Sequence, residues 1–178
     1  VMGVGGVSLA AAFVIMVDKM ANSETASFRF KRILAWLHPE EYVSDTGYQT
    51  LQALYAIGSG GIWGKGLGQS MQKLGFIPEA QNDMIFSIIC EELGLFGAIA
   101  IILMFVMLIW RLMVIANNAP DLFGALLVVG VMGHMAIQVI LNIAVVTATI
   151  PNTGISLPFI SYGGTAVLFQ LAEIGIVL

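Results

Sequence analysis

The sequence predicts an all-α, polytopic membrane helix bundle with a large extracytoplasmic loop, and three observations predict it. Of 178 residues, 58% are hydrophobic and 10% charged, with a mean hydropathy of +0.93. A soluble domain carries about 25% charged residues. Four apolar runs approach the roughly 20 residues that a membrane-spanning helix needs. The linkers between them hold most of the charge.

The first run, Val1 to Val17, carries no charge. The chain opens on Val1 and stops inside an apolar run at Leu178, so a fragment of a longer membrane protein is expected. No run has the charged n-region and small-residue cleavage site of a signal peptide. A 67-residue connection, Asp18 to Met84, follows, with six of the seven Lys/Arg and seven of the eleven acidic residues. The second run spans 85–115 and ends at the turn "ANNAPD", where Pro120 and the Asn pair stop a helix. The third spans 122–150, and the fourth, expected to be truncated, 157–178. Between them lies "PNTGISLPFISYGG".

If the four runs cross in turn, the first and third linkers share one face of the membrane. Counting thus brings Asp83 and the "PNTG" loop together. Arg111 beside the short turn assigns that turn to the cytoplasm and both larger loops to the outside. The cations of the long loop pull the other way, but the positive-inside bias governs loops shorter than about 60 residues.

A net charge of −4 without a long basic block excludes nucleic-acid binding as the main task. The single cysteine, Cys90, excludes an internal disulfide framework and a cysteine-based zinc site, and reads as a buried structural thiol.

Several motifs carry more than one reading. In "RFKRILAWLHPE", Phe28, Ile33, Leu34 and Leu37 interleave with Arg29, Lys31 and Arg32, the pattern of a basic amphipathic helix at a membrane surface. It serves equally as an anchor or as a contact for an anionic headgroup or pyrophosphate. "GSGGIWGKGLG" fails as a phosphate loop at Ser59 and Gly66. A re-entrant turn in which backbone approaches backbone fits better. Gly130, His134, Gln138 and Asn142 recur every four residues and line one helix face, which marks the third run as packed inside a bundle. His134 reads as an interhelical hydrogen-bonding residue rather than a metal ligand. Glu173, deep in the fourth run, needs a polar partner, since a carboxylate at mid-membrane costs roughly 2.5 to 3.5 kcal/mol.

In "IPEAQNDMIFSIICEELG", Asp83 either caps the helix that starts beside it or, desolvated by Met84, Ile85 and Phe86, serves as a general base. Glu91 and Glu92, more than two helical turns farther on, read as structural groups that hold helix and loop in register.

Three stretches in order, "TGYQTLQALYAIGSGGIWGKGLGQS", "QKLGFIPEAQNDMIFSIICEELGLFGA" and "NIAVVTATIPNTGISLPFISYGGT", resemble the C-terminal half of the FtsW/RodA/SpoVE (SEDS) family over about Phe28 to Thr165. The wording "IPNTGISLPFISYGGT" is most similar to the division-type FtsW branch of Gram-positive anaerobes. The resemblance implies a ten-helix fold, of which this chain would carry the seventh to tenth helices and the large extracytoplasmic loop after the seventh. It implies a multi-pass protein of the bacterial cytoplasmic membrane, a peptidoglycan glycosyltransferase that polymerises lipid II. The implied partners are a class B penicillin-binding protein, a transpeptidase, and other divisome membrane proteins.

The family's catalytic aspartate stands in Pro-Glu-x-His-Thr-Asp-Phe and carries over to Asp83. Gln81 and Asn82 replace the usual His and Thr, so a role for that His does not carry over. The departing pyrophosphate calls for positive charge or a divalent cation such as Mg or Mn. Arg29, Lys31, Arg32, Lys65 and Lys73 lie on the correct side, with Arg32 and Lys73 the leading candidates. Glu79, Gln49, Gln52, Ser161 and Tyr162 are candidate wall or sugar contacts. Two other readings stay open at this stage: a lipid II flippase, with the polar stripe lining a headgroup path, and a non-enzymatic division scaffold.

Overall fold

The computed structural model describes residues 33, 36, 46–72, 77 and 80–178. The expected first span, most of the basic amphipathic stretch, and Arg32, Lys73 and Glu79 lie outside these residues. The chain divides between Leu51 and Gln52 into two units. In the first, Ile33 and Trp36 have helical backbone, and residues 46–51, which include half-buried Gln49, belong to α1 (Thr46–Gly60). The second unit holds the rest of α1 and three further helices: α2 (Ile85–Asn117), α3 (Leu122–Val146) and α4 (Gly164–Val177). The described residues contain helices and loops and no strand.

α2 and α3 are long and apolar enough to cross a membrane, and their exposed side chains, among them Leu103, Met107, Trp110, Leu126 and Ile140, are apolar. Such a surface suits contact with lipid or other helices. α2 ends where the sequence expects. The Asn118 side chain donates to the Val114 carbonyl at 2.7 Å, and the Asp121 carboxylate caps α3 by accepting from Gly124 N at 2.9 Å. One buried cluster packs α2 against α3 near this turn, through Leu112, Ala116, Val128 and Met135. A second joins Ala53 and Ala56 of α1 to Met84, Phe86, Ala98 and Phe105, and to Val139, Val145, Val146 and Leu157.

The expected second run is broken inside. Gly94 has φ 66° and ψ −159°, a region that is essentially glycine's own. There the Gly-rich loop after α1 inserts into the helical ladder. In an unbroken helix Leu95 N would donate to Glu91 O. Instead Leu95 N donates to Gly61 O at 3.0 Å, Lys65 N to Glu91 O at 2.9 Å, and Gly66 N to Glu92 O at 3.0 Å. The approach is backbone on backbone: a Cβ at Gly60 would overlap Cys90 O, one at Gly64 the Glu92 carbonyl, and one at Gly94 the Gly64 nitrogen. From Leu95 to Asn117 the helix is about 35 Å long at 1.5 Å per residue, enough for the roughly 30 Å hydrocarbon core.

The third and fourth runs are also shorter as helices than their apolar stretches. α3 stops at Val146 in a Schellman closure, with Ala148 N bonded to Val145 O (2.9 Å) and Thr149 N to Ala144 O (2.8 Å). Ala148 takes the left-handed conformation (φ 56°) usually given to glycine, and Pro151 follows. Residues 157–163, apolar enough to read as the start of the fourth span, are turn and coil, and α4 begins at Gly164. Pro158 lacks an N–H, and Phe159 has φ 59°, so a helix cannot run through them.

Gly94→Ala is expected to lower the thermal midpoint of the full-length protein, because left-handed strain of about 1–3 kcal/mol adds to the overlap with Gly64. Gly133→Ala, where a Cβ meets open space, is expected to be neutral or stabilising, since Ala exceeds Gly in helix propensity by about 1 kcal/mol. Equal midpoints for both variants would contradict the inserted-loop account.

Candidate functional site

The segment that carries Asp83 runs into α2 through Met84, the helix N-cap, which makes no side-chain capping bond. Asp83 therefore stands one residue ahead of the position where its carboxylate would cap α2. It is 9% exposed and precedes fully buried Met84, a member of the second cluster.

Two hydrogen bonds fix this segment to residues far along the chain. Gln81 O accepts from Tyr162 N at 2.8 Å, and Asp83 O accepts from Asn142 Nδ2 at 2.8 Å. The same Nδ2 donates to Ile155 O at 2.7 Å. The Asp83 segment, the end of α3 and the loop 147–163 thus form one hydrogen-bonded unit. Counting spans brings these two loops to one face; the bonds bring them into contact.

The loop 147–163 depends on side chains for its own backbone partners. Leu157 N donates to Ser161 Oγ at 2.7 Å, and Gln138 Nε2 donates to Ser156 O at 3.0 Å. Phe159 N donates to Gln170 Oε1 at 2.9 Å, and Gln170 Nε2 reaches Gln138 Oε1 at 3.4 Å. The polar stripe of α3 therefore serves this loop and α4. One turn farther along, His134 Nδ1 meets Glu173 Oε2 at 3.1 Å, which supplies the partner that Glu173 needs. These partnerships link residues dozens of positions apart, and no local spacing announces them. Ser161 is buried with its hydroxyl oxygen engaged within the loop, whereas the Tyr162 side chain is 77% exposed beside the Asp83 segment. Gln52 is half-buried on α1.

A second polar node lies behind the Gly-rich loop. Glu91 is wholly buried, and its carboxylate accepts from Lys65 Nζ at 2.6 Å, Ser70 Oγ at 2.5 Å, Ser59 Oγ at 3.3 Å and Gln72 N at 3.4 Å. This is the register-holding role that the sequence suggests. It also corrects the list of cations open to an anionic substrate, because Lys65 is held by Glu91. Among the described residues no group of three or more His, Cys, Asp or Glu side chains is placed to hold a metal ion. In chemical terms, the arrangement offers a desolvated carboxyl residue at a loop–helix boundary, on a backbone tied to a second loop with an exposed aromatic side chain.

A family model for FtsW, RodA and SpoVE, described as cell cycle protein, matches residues 2–178. The chain is 49% identical over 154 residues to stage V sporulation protein E of Bacillus subtilis (strain 168), which covers 86% of this chain and 42% of that protein. It is 47% identical over 153 residues to a probable peptidoglycan glycosyltransferase FtsW of Trichlorobacter lovleyi, covering 86% and 40% respectively. The chain thus spans less than half the length of these relatives. Among solved structures it superimposes with a TM-score of 0.65 and 26% identity on a chain from work on structural coordination of polymerization and crosslinking by a peptidoglycan synthase complex, over 99% of this chain and 47% of that one.

Lys65→Met is expected to destabilise the full-length protein by an amount near the lower end of the about 3–5 kcal/mol typical of breaking a buried pair, because Lys65 itself is 36% exposed. Adding Glu91→Gln should recover part of that loss, as read by thermal unfolding in detergent. An unchanged midpoint for Lys65→Met would show that the pair contributes nothing.

Proposed function

The chain belongs to the FtsW/RodA/SpoVE family of cell cycle proteins, and we propose that it carries the general base of a peptidoglycan glycosyltransferase that polymerises lipid II during cell division. The base is Asp83. The acceptor's GlcNAc 4-hydroxyl attacks the anomeric carbon of the donor, Asp83 takes the hydroxyl proton, and the bond from that carbon to the pyrophosphate oxygen breaks. Undecaprenyl pyrophosphate leaves and the configuration at the anomeric carbon inverts. A hydroxyl becomes strongly acidic as the new bond forms, so one positioned carboxylate suffices. The leaving group departs as a stabilised anion, so the paired carboxylates of glycoside hydrolases are not needed.

The observation that carries this reading is the tie between the Asp83 segment and loop 147–163 through Asn142 and Tyr162 N. It gives the carboxyl residue a fixed backbone at a loop–helix boundary, beside the exposed side chain of Tyr162 as a sugar contact. Arg32 and Lys73 are the cations we assign to the pyrophosphate. A divalent cation such as Mg or Mn would supply further positive charge to the leaving group, and Glu79, in the same motif as Asp83, is a further candidate contact. Gln49, Gln52 and Ser161 complete the candidate contacts, with Ser161 acting through the loop it closes. The active face is extracytoplasmic, where lipid II presents its sugars, and the partner is a class B penicillin-binding protein within the division machinery. The relative from a peptidoglycan synthase complex supports that partnership. Relatives named FtsW support the division role, as does the wording of the "IPNTGISLPFISYGGT" motif.

The transport alternative draws on the polar stripe of α3. Gln138 and Asn142 direct their amides to loop and helix partners, which favours a scaffolding use of that stripe over a path for headgroups. Asp83→Asn in the full-length protein with its transpeptidase should reduce lipid II polymerisation by about 10²–10⁴-fold. Polymerisation at the wild-type rate would refute the base assignment, and loss of lipid II flipping with polymerisation intact would favour the transporter.

A further inference from the structure

Asn142 does something that the other members of its stripe do not. Its Nδ2 carries two protons and gives them to two loops, to Asp83 O at 2.8 Å and to Ile155 O at 2.7 Å. The residue is wholly buried, among Val139, Val145 and Val146 at the end of α3. An apolar residue of similar volume would pack there without the desolvation that an amide costs. Asn142 Oδ1 finds no partner among the described residues, so what this position uses is the pair of donors.

Asn142 bonds the backbone carbonyl of Asp83 itself, and holding it orients the peptide plane between Asp83 and Met84. That plane sets the point from which the carboxylate projects. A misplacement of about 1 Å in a reacting group can cost on the order of 10²-fold in rate. We propose that Asn142 is a positioning residue for the reaction: by joining the Asp83 and Ile155 carbonyls through one amide, it sets the base against loop 147–163. This rests on the reading of Asp83 as the general base. Gln138, one turn earlier on the same stripe, donates to Ser156 O and accepts from Gln170, with no bond to the Asp83 segment. It therefore separates anchoring of the loop from anchoring of the Asp83 segment.

The test uses the full-length protein with its transpeptidase and compares Asn142→Leu, Gln138→Leu and Asp83→Asn. Lipid II polymerisation is measured against lipid II concentration, with rates normalised to the folded, monodisperse fraction. Asn142→Leu is expected to lower kcat by about tenfold or more with KM changed by less than about twofold, the signature of an interaction that matters in the transition state. Gln138→Leu, which loosens the same loop without touching the Asp83 segment, is expected to lower the thermal midpoint and to lower kcat per folded molecule several-fold less than Asn142→Leu does. The inference is overturned if Asn142→Leu keeps its kcat while Asp83→Asn is inactive, or if both Leu variants lose kcat equally. Wild-type polymerisation by Asp83→Asn would instead remove the base reading, and this inference with it. Should Asn142→Leu yield no folded protein, Asn142→Asp, which keeps the shape but sets one carboxyl oxygen against both carbonyls, carries the same expectations.

Discussion

Inside an apolar bundle, every backbone N–H and C=O that leaves a helix must find a partner within the protein. Two irregular segments of this chain meet that demand in different ways, and the candidate site depends on both. The Gly-rich loop after α1 exchanges backbone bonds with a broken turn of α2: Lys65 N and Gly66 N take the carbonyls of Glu91 and Glu92, and Gly61 O takes Leu95 N. The loop 147–163 has no such ladder to enter. It is held by amide and hydroxyl side chains of Gln138, Asn142, Ser161 and Gln170.

The first solution demands glycine, because the backbones approach too closely for a Cβ at Gly60, Gly64 or Gly94. It also places a carboxylate, Glu91, in a wholly buried position, where Lys65, Ser59, Ser70 and Gln72 N satisfy it. The second solution explains a polar stripe on an otherwise apolar helix. Each member answers a particular need, since Gln138 and Asn142 serve loop carbonyls and His134 serves Glu173. Asn142 connects this system to the chemistry, because one of its two protons goes to the carbonyl of Asp83. The groups that keep the loop soluble in an apolar setting also hold the proposed base.

Much of this was legible in the sequence. The apolar runs mark α2 and α3, "ANNAPD" marks the turn between them, and "PEAQND" and "PFISYGG" mark the two loops that meet. The break at Gly94 was not legible, since a lone glycine in an apolar run reads as tolerated until its contact with Gly64 is seen. The late start of α4 was hidden because Leu157, Pro158, Phe159 and Ile160 look like span residues. Their backbone is acceptable as a loop through Gln138 and Gln170, which lie elsewhere in the sequence. Lys65 looked available to a substrate because its partner, Glu91, is 26 positions away. Local periodicity shows which face a residue occupies, and the partner across that face comes from the fold.

The central claim is that the Asp83 segment and the loop before α4 meet, on the face we propose to be extracytoplasmic. Paired cysteines at Gln81 and Tyr162, in a full-length chain with Cys90 replaced by alanine, test it most directly. Tyr162 N and Gln81 O lie 2.8 Å apart, so the two backbones are adjacent, as a disulfide requires. Mild oxidation should join the two cysteines, and a membrane-impermeant thiol reagent added outside the cell should label each of them singly. Failure to cross-link, or labelling of the two from opposite sides of the membrane, would contradict the account.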